Sequence, residues 1–143
     1  MGYLPVLACV LLLGVAVWLR RRLLLVTVRG RSMEPALAEG DRVLVRRRAP
    51  ARIRRCDVVV LRRPPEAVVV DVSRQAELLV KRVVALGGDL VAADRFPRIA
   101  AQTSVVPPGR LVVLGDNPGM SLDSRHYGHL DHELVVGVVL RRV

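Results

Sequence analysis

Of the 23 lysines and arginines in this 143-residue chain, only Lys81 is a lysine. Arginine serves wherever a fixed positive charge is enough, so a lone lysine in an arginine-rich chain points to a task that arginine cannot perform. Burial disfavours the charged form of an amine and can bring a lysine from about 10.4 down to roughly 7 or 8, where it acts as a base. Lys81 interrupts the apolar run Leu78-Leu79-Val80-Lys81-Arg82-Val83-Val84, which would supply that burial. Side chains alternate along a strand, so Arg82 should point away from Lys81. The nucleophile such a base would serve is offered by Gly30-Arg31-Ser32-Met33-Glu34-Pro35-Ala36-Leu37. A serine in a tight loop can present its hydroxyl and its backbone N–H together, supplying attacking group and oxyanion donor at once. A third segment, Gly115-Asp116-Asn117 through Ser121-Leu122-Asp123-Ser124-Arg125 to Gly128, suits a web of turn hydrogen bonds and ion pairs. Taken singly, each segment has a plainer explanation: chance survival of one lysine with its amine in solvent, an ordinary Ser/Pro turn, a polar loop.

The elements that must position these residues read as strands. Short runs rich in valine and leucine, at Leu23 to Val28, Arg42 to Val45, Asp57 to Leu61, Leu78 to Val84, Leu111 to Leu114 and Leu134 to Leu140, are separated by turn residues such as Gly40-Asp41, Pro64-Pro65, Gly87-Gly88-Asp89 and Pro107-Pro108-Gly109. None has the length and 3.6-residue period of a helix. Ahead of them, Tyr3 to Leu19 carries no charge and is followed at once by Arg20, Arg21 and Arg22. Such a segment fits a membrane helix, its arginine stems snorkelling to the interface. An uncleaved anchor fits better than a signal peptide, because no small-x-small site precedes the arginines and no basic residue precedes the apolar run. The expected division is an anchor over residues 1–22 and one β domain over 23–143.

Composition narrows the function classes. A net charge of +10 and a pI near 11.4 would suit nucleic acid or anionic lipid. The only aromatic residues are Tyr3, Trp18, Phe96 and Tyr127, too few to form stacking platforms, so nucleic acid is not an expected partner and membrane lipid is. Arginine clusters such as Arg46 to Arg48 are the nearest approach to low complexity. Cys9 and Cys56 lie far apart and have no CxxC or CxxH neighbours, which speaks against a disulfide framework and against a zinc ribbon. His126, His129 and His132 recur every third residue, but in a glycine-containing loop that spacing does not hold them on one face. Surface roles are expected for them; neither a metal nor any other cofactor is.

Together the segments resemble the conserved boxes of the type I signal peptidase family, whose members are Ser/Lys serine endopeptidases. The family pattern of Ser-Met-x-Pro-x-Leu, Gly-Asp-x-Val-x-Val, Lys-Arg-Val leading to Gly-Asp, and Gly-Asp-Asn followed by Ser-x-Asp-Ser-Arg corresponds to Gly30 to Leu37, Gly40 to Val45, Lys81 to Asp89 and Gly115 to Gly128. The boxes are in order and follow a membrane segment, and the likeness runs from about residue 26 onward. The resemblance implies a mostly β, compact, barrel-like catalytic domain behind one N-terminal transmembrane helix, without a large inserted second β domain. It implies Ser32 as nucleophile, Lys81 as general base and Ser121 as the hydroxyl that positions the lysine. Gly30 and Met33 would border the nucleophile, with the Ser32 N–H as oxyanion donor and no side-chain donor from Gly30. Arg82, Asp116, Asn117, Asp123, Ser124 and Arg125 would hold the loop. Substrates would be precursor proteins carrying signal or leader peptides, bound as an added strand and cut after small residues.

Three points stay open at this level. A compact relative could be a dedicated maturation protease for one precursor, a leader peptide or a metalloenzyme propeptide. Further off, a non-catalytic basic β domain would bind anionic lipid and leave Ser32 and Lys81 replaceable; a self-cleaving repressor is disfavoured because no helix-turn-helix precedes the core. The third point is orientation: the family resemblance puts the catalytic domain on the outer face of a single-pass cell-membrane protein, whereas Arg20 to Arg22, lying after the helix, favour the cytoplasm by the positive-inside rule.

Overall fold

The computed structural model describes residues 3–47, 52–65, 77–100 and 104–143. Met1 and Gly2 of the expected anchor, and Arg48 of the arginine cluster, lie outside these residues. Helix α1, Tyr3–Arg22, contains 20 residues, reaches a mean hydropathy of 2.1 over an 18-residue window and has no buried residue. At about 1.5 Å per residue that length crosses a hydrocarbon layer of ~30 Å. An apolar helix exposed on every side is what lipid, not water, would solvate. Arginines at its last turn also complement the negative end of the helix dipole.

Strand β1, Leu23–Thr27, follows without a linker. The others are β2, Arg42–Arg46; β3, Val58–Arg62; β4, Leu78–Leu86; β5, Arg110–Leu114; β6, Leu130–Asp131; and β7, Val135–Arg142. They form one curled antiparallel sheet in the order β1-β2-β7-β3-β4-β5-β6. The six expected strands are present with bounds shifted by one or two residues at most ends. β6 was not foreseen, because two residues form no run. Short helical turns at Pro97–Ala100 and Ser124–Tyr127 were also not anticipated.

β3 explains why the sheet can curl around two apolar layers. Val59 and Leu61 pack into one cluster with Val83, Leu111, Val113 and Val138. Val60, facing the other way, packs with Val26, Met33, Val43 and Val80. A strand buried on both sides reads as an unbroken apolar run, as Val58-Val59-Val60-Leu61 does. The ladder sets Lys81 opposite Val59 and Leu79 opposite Leu61. Lys81 therefore emerges on the same face as the first cluster, between Leu79 and Val83 along its own strand.

β7 approaches β2 closely at Gly137. A Cβ placed there would lie 2.5 Å from the Arg46 carbonyl oxygen and 2.8 Å from Val45 Cγ1. Backbone blocks it, so side-chain repacking gives no relief. Gly137→Ala is expected to destabilise the fold by about 1–3 kcal/mol, the usual range for overpacking. Thermal melts of the purified chain in detergent check this; a melting temperature equal to wild type would contradict the close approach.

Candidate active site

The loop after β1 is closed at its base by two backbone bonds, Val28 N–H to the Asp41 carbonyl at 2.8 Å and Gly40 N–H to the Val28 carbonyl at 2.9 Å. Within it Gly30 adopts φ +78°, a left-handed conformation that glycine tolerates, and its N–H donates to Glu39 Oε1 at 2.9 Å. Met33 has no exposed surface and plugs the loop into the second apolar cluster. Its carbonyl accepts from Leu37 N–H at 2.9 Å, closing a five-residue turn. Ser32, one residue before this plug, is half-buried. Gly30 and Met33 thus border Ser32, but Met33 does so from beneath, as a core side chain.

Lys81 is 4% exposed, and its Nζ donates to Ser121 Oγ at 3.0 Å. Ser121 in turn donates to Asp123 Oδ2 at 2.7 Å. Asp123 is fully buried and is held by the Gly115 N–H at 3.0 Å and by a two-pronged bond from Arg125, Nε to Oδ1 at 2.9 Å and Nη2 to Oδ2 at 2.7 Å. Burial pushes the Asp123 carboxyl upward, but the Arg125 guanidinium, the Gly115 and Arg125 N–H groups and the Ser121 hydroxyl outweigh it and hold the group below the ordinary aspartate value. An ionised Asp123 can only accept. Ser121 has one proton and gives it to Asp123, so its oxygen faces the amine of Lys81 as an acceptor.

Gly115 joins this chain to the Ser32 loop. A Cβ there would lie 2.2 Å from Ser121 Oγ and 2.5 Å from the Ser32 carbonyl oxygen, so those two atoms are at most about 4.7 Å apart. Asn117 clasps the same loop, its N–H donating to the Ser32 carbonyl at 2.9 Å and its Nδ2 to the Arg31 carbonyl at 3.1 Å. On the opposite face of β4, Arg82 binds Asp116 through Nε at 2.8 Å and Nη2 at 2.6 Å, and the Cys56 carbonyl through Nη1 at 3.1 Å. Ser124 Oγ accepts from the Val113 N–H at 2.9 Å, fixing the loop to β5.

The segments singled out in the sequence therefore meet in one place. Two of the three histidines serve different parts of the fold: His126 Nδ1 accepts from the Asp123 N–H as part of a capping box, whereas the His132 ring lies against Gly109. Sequence reasoning missed Gly115 as the contact point between loops and Asp123 as a direct partner of Ser121. A glycine placed immediately after an apolar strand was the available signal for the first; the two-residue step from Ser121 to Asp123 was the signal for the second.

The profile of the family described as signal peptidase, peptidase S26, matches residues 3–96 and 92–143. The chain belongs to the signal peptidase family. Its relatives include mitochondrial ATP-independent inner membrane protease subunit 1b of Arabidopsis thaliana, 34% identical over 80% of this chain and 66% of the relative. Mitochondrial inner membrane protease subunit 1 of Mus musculus is 30% identical over 80% of this chain and 65% of that protein. Signal peptidase I V of Bacillus subtilis is 30% identical over 78% and 80% respectively. This signal peptidase family member thus spans about two thirds of the length of the two mitochondrial relatives and more of the bacterial one.

Two consequences can be measured. Because the folded-state carboxyl of Asp123 is depressed, its contribution to stability is complete above the unfolded value near ~3.9 and disappears as pH falls through the lower folded value. Asp123→Asn should lose about 3–5 kcal/mol at neutral pH, leaving Arg125 without its buried partner, and should show a flatter acid limb in melts between pH 2 and pH 6. Equal acid limbs would refute the ionised Asp123. Gly115→Ala should separate Ser121 from the Ser32 loop and lower peptide cleavage about 10²-fold or more, the cost of an ångström-scale misplacement; a stable variant cleaving at the wild-type rate would show that the close approach is unimportant.

Proposed function

We propose that this chain is a membrane-bound serine endopeptidase that removes signal or leader peptides from precursor proteins, with residues 1–22 as anchor and 23–143 as catalytic domain. The observation that carries the reading is the Lys81 amine, buried in an apolar sheet and bonded to a serine whose own proton is committed elsewhere. In this reading the amine works in its neutral form, positioned by Ser121 and serving as proton acceptor for the Ser32 hydroxyl. Ser32 attacks the scissile carbonyl, Lys81 takes its proton, and the Ser32 backbone N–H stabilises the oxyanion. Ser121 positions the amine; Arg82, Asp116, Asn117, Asp123, Ser124 and Arg125 keep the loop in place. Substrate joins as an extended strand, backbone pairing giving affinity and small pockets selecting residues such as alanine.

A second reading, dedicated maturation of one precursor on the cytoplasmic side, is favoured by a single feature: Arg20, Arg21 and Arg22 lie after α1. External protease applied to intact cells separates the two. Digestion of the catalytic domain would place it outside, as general signal-peptide removal requires, and protection would favour the dedicated role.

Mechanism is tested with Lys81→Arg and Lys81→Met on a peptide containing an Ala-x-Ala site. Loss of a positioned base costs about 10²–10⁴-fold, and both variants should show it although only one keeps the charge. Near wild-type cleavage by Lys81→Arg would leave Lys81 a purely electrostatic role. Ser32→Ala should abolish turnover with little change in melting temperature, since one loop hydroxyl contributes little to stability.

A further inference from the structure

Where α1 meets the sheet there is a cleft of about 710 Å³ that the Ser32–Lys81 chemistry does not use. Its apolar lining is Trp18 and Leu19 of the helix and Leu23, Leu44 and Leu140 of the sheet. The rest of the lining is Arg22, Arg46, Arg47 and Arg52, with no carboxylate among the described lining residues.

The sheet explains this composition. In β2, Val43 and Val45 point into the apolar cluster, so Leu44 and Arg46 must point to the outer face. In β1, Leu24 and Val26 take the inner face and leave Leu23 outside beside them, paired with Arg46 in the ladder. The Arg47 N–H donates to the Arg22 carbonyl at 2.9 Å, tying the end of the helix to the end of β2. The Arg22 guanidinium lies over the Trp18 ring at 5.7 Å, and tryptophan beside arginine is the usual composition of a membrane–water interface.

We propose that this cleft binds the headgroup of an anionic phospholipid, with the phosphate against the arginines and the glycerol and upper acyl carbons against Trp18, Leu44 and Leu140. Three observations carry the assignment. The cleft lies at the last turn of α1, the level at which headgroups sit if the helix crosses the bilayer. Guanidinium forks match phosphate oxygens two at a time, and several line this one cleft. The rest of the lining is apolar, which suits a lipid and offers nothing to a free inorganic anion. The volume falls within the range of ~300–1,000 Å³ typical of small-molecule sites. A lipid held there would bind the outer face of β1, β2 and β7 to the membrane beside the anchor and so limit rotation of the domain about the end of α1.

The inference rests on α1 crossing a membrane and is independent of the Ser32–Lys81 chemistry. The full chain is reconstituted into phosphatidylcholine nanodiscs containing graded phosphatidylglycerol, then released, and retained lipid is counted by native mass spectrometry. The expected result is selective retention of phosphatidylglycerol, reduced about tenfold or more in Arg46→Gln/Arg47→Gln and unchanged in the charge-matched Arg62→Gln/Arg110→Gln. Inorganic phosphate at millimolar concentration should not displace it, and Ser32→Ala should retain it fully. Equal retention by both double variants, equal retention of phosphatidylcholine, or displacement by phosphate alone would overturn the site. A chain that failed to co-elute with the discs would overturn the anchor and the site together. Unchanged helix and strand signals in circular dichroism exclude misfolding as the cause of lost retention.

Discussion

A primary amine held inside an apolar sheet is the constraint on which the rest of this structure depends. Lys81 stands opposite Val59 and between Leu79 and Val83, where water is scarce and a lone hydrogen-bonding group would be costly. The fold answers with an ordered series of bonds: Lys81 to Ser121, Ser121 to Asp123, and Asp123 to Arg125 at the half-buried edge. Each donor in the series determines the direction of the next. The fixed charge of arginine holds the aspartate ionised, the aspartate takes the serine proton, and the serine oxygen is thereby turned toward the amine. Electrostatics at the rim thus fixes hydrogen-bond polarity in the interior.

The same economy governs how the two loops are held. Neither is rigid through regular structure; both are rigid because one residue of each is anchored in something that is. Met33 fixes the first loop in the apolar layer behind β3, and Ser124 fixes the second to the backbone of β5. Gly115 lets them approach to a distance at which any side chain would collide. Met33, Ser124 and Gly115 thereby control where Ser32 and Ser121 stand relative to one another.

Much of this was legible in the amino-acid sequence, for reasons that differ from element to element. The strands were visible because valine-rich runs alternate with glycine and proline turns, and Lys81 was visible because it contradicts its surroundings. β6 was not, since its two residues are held in the sheet only by their pairing with Arg110 and Leu111. Asp123 was readable as half of an ion pair with Arg125 but not as the acceptor for Ser121, because sequence shows which charges are available and not which lone pair faces which proton. The closeness of Gly115 to both serines was hidden for a similar reason: a glycine in a turn and a glycine between two loops look identical on a line. Met33 shows the reverse case, a motif residue whose burial in the core is read more readily from its type than from its place beside Ser32.

The strand order has a consequence for what keeps the two halves of the molecule together. β7, last in chain order of the seven described strands, lies between β2 and β3, which share no ladder of their own. Without it the ladders leave two pieces, β1 with β2 beside α1, and β3 to β6 with Lys81. β7 stitches them together, aligning the loop that holds Ser32 with the half that holds Lys81. Fraying of this one strand would therefore open both seams at once.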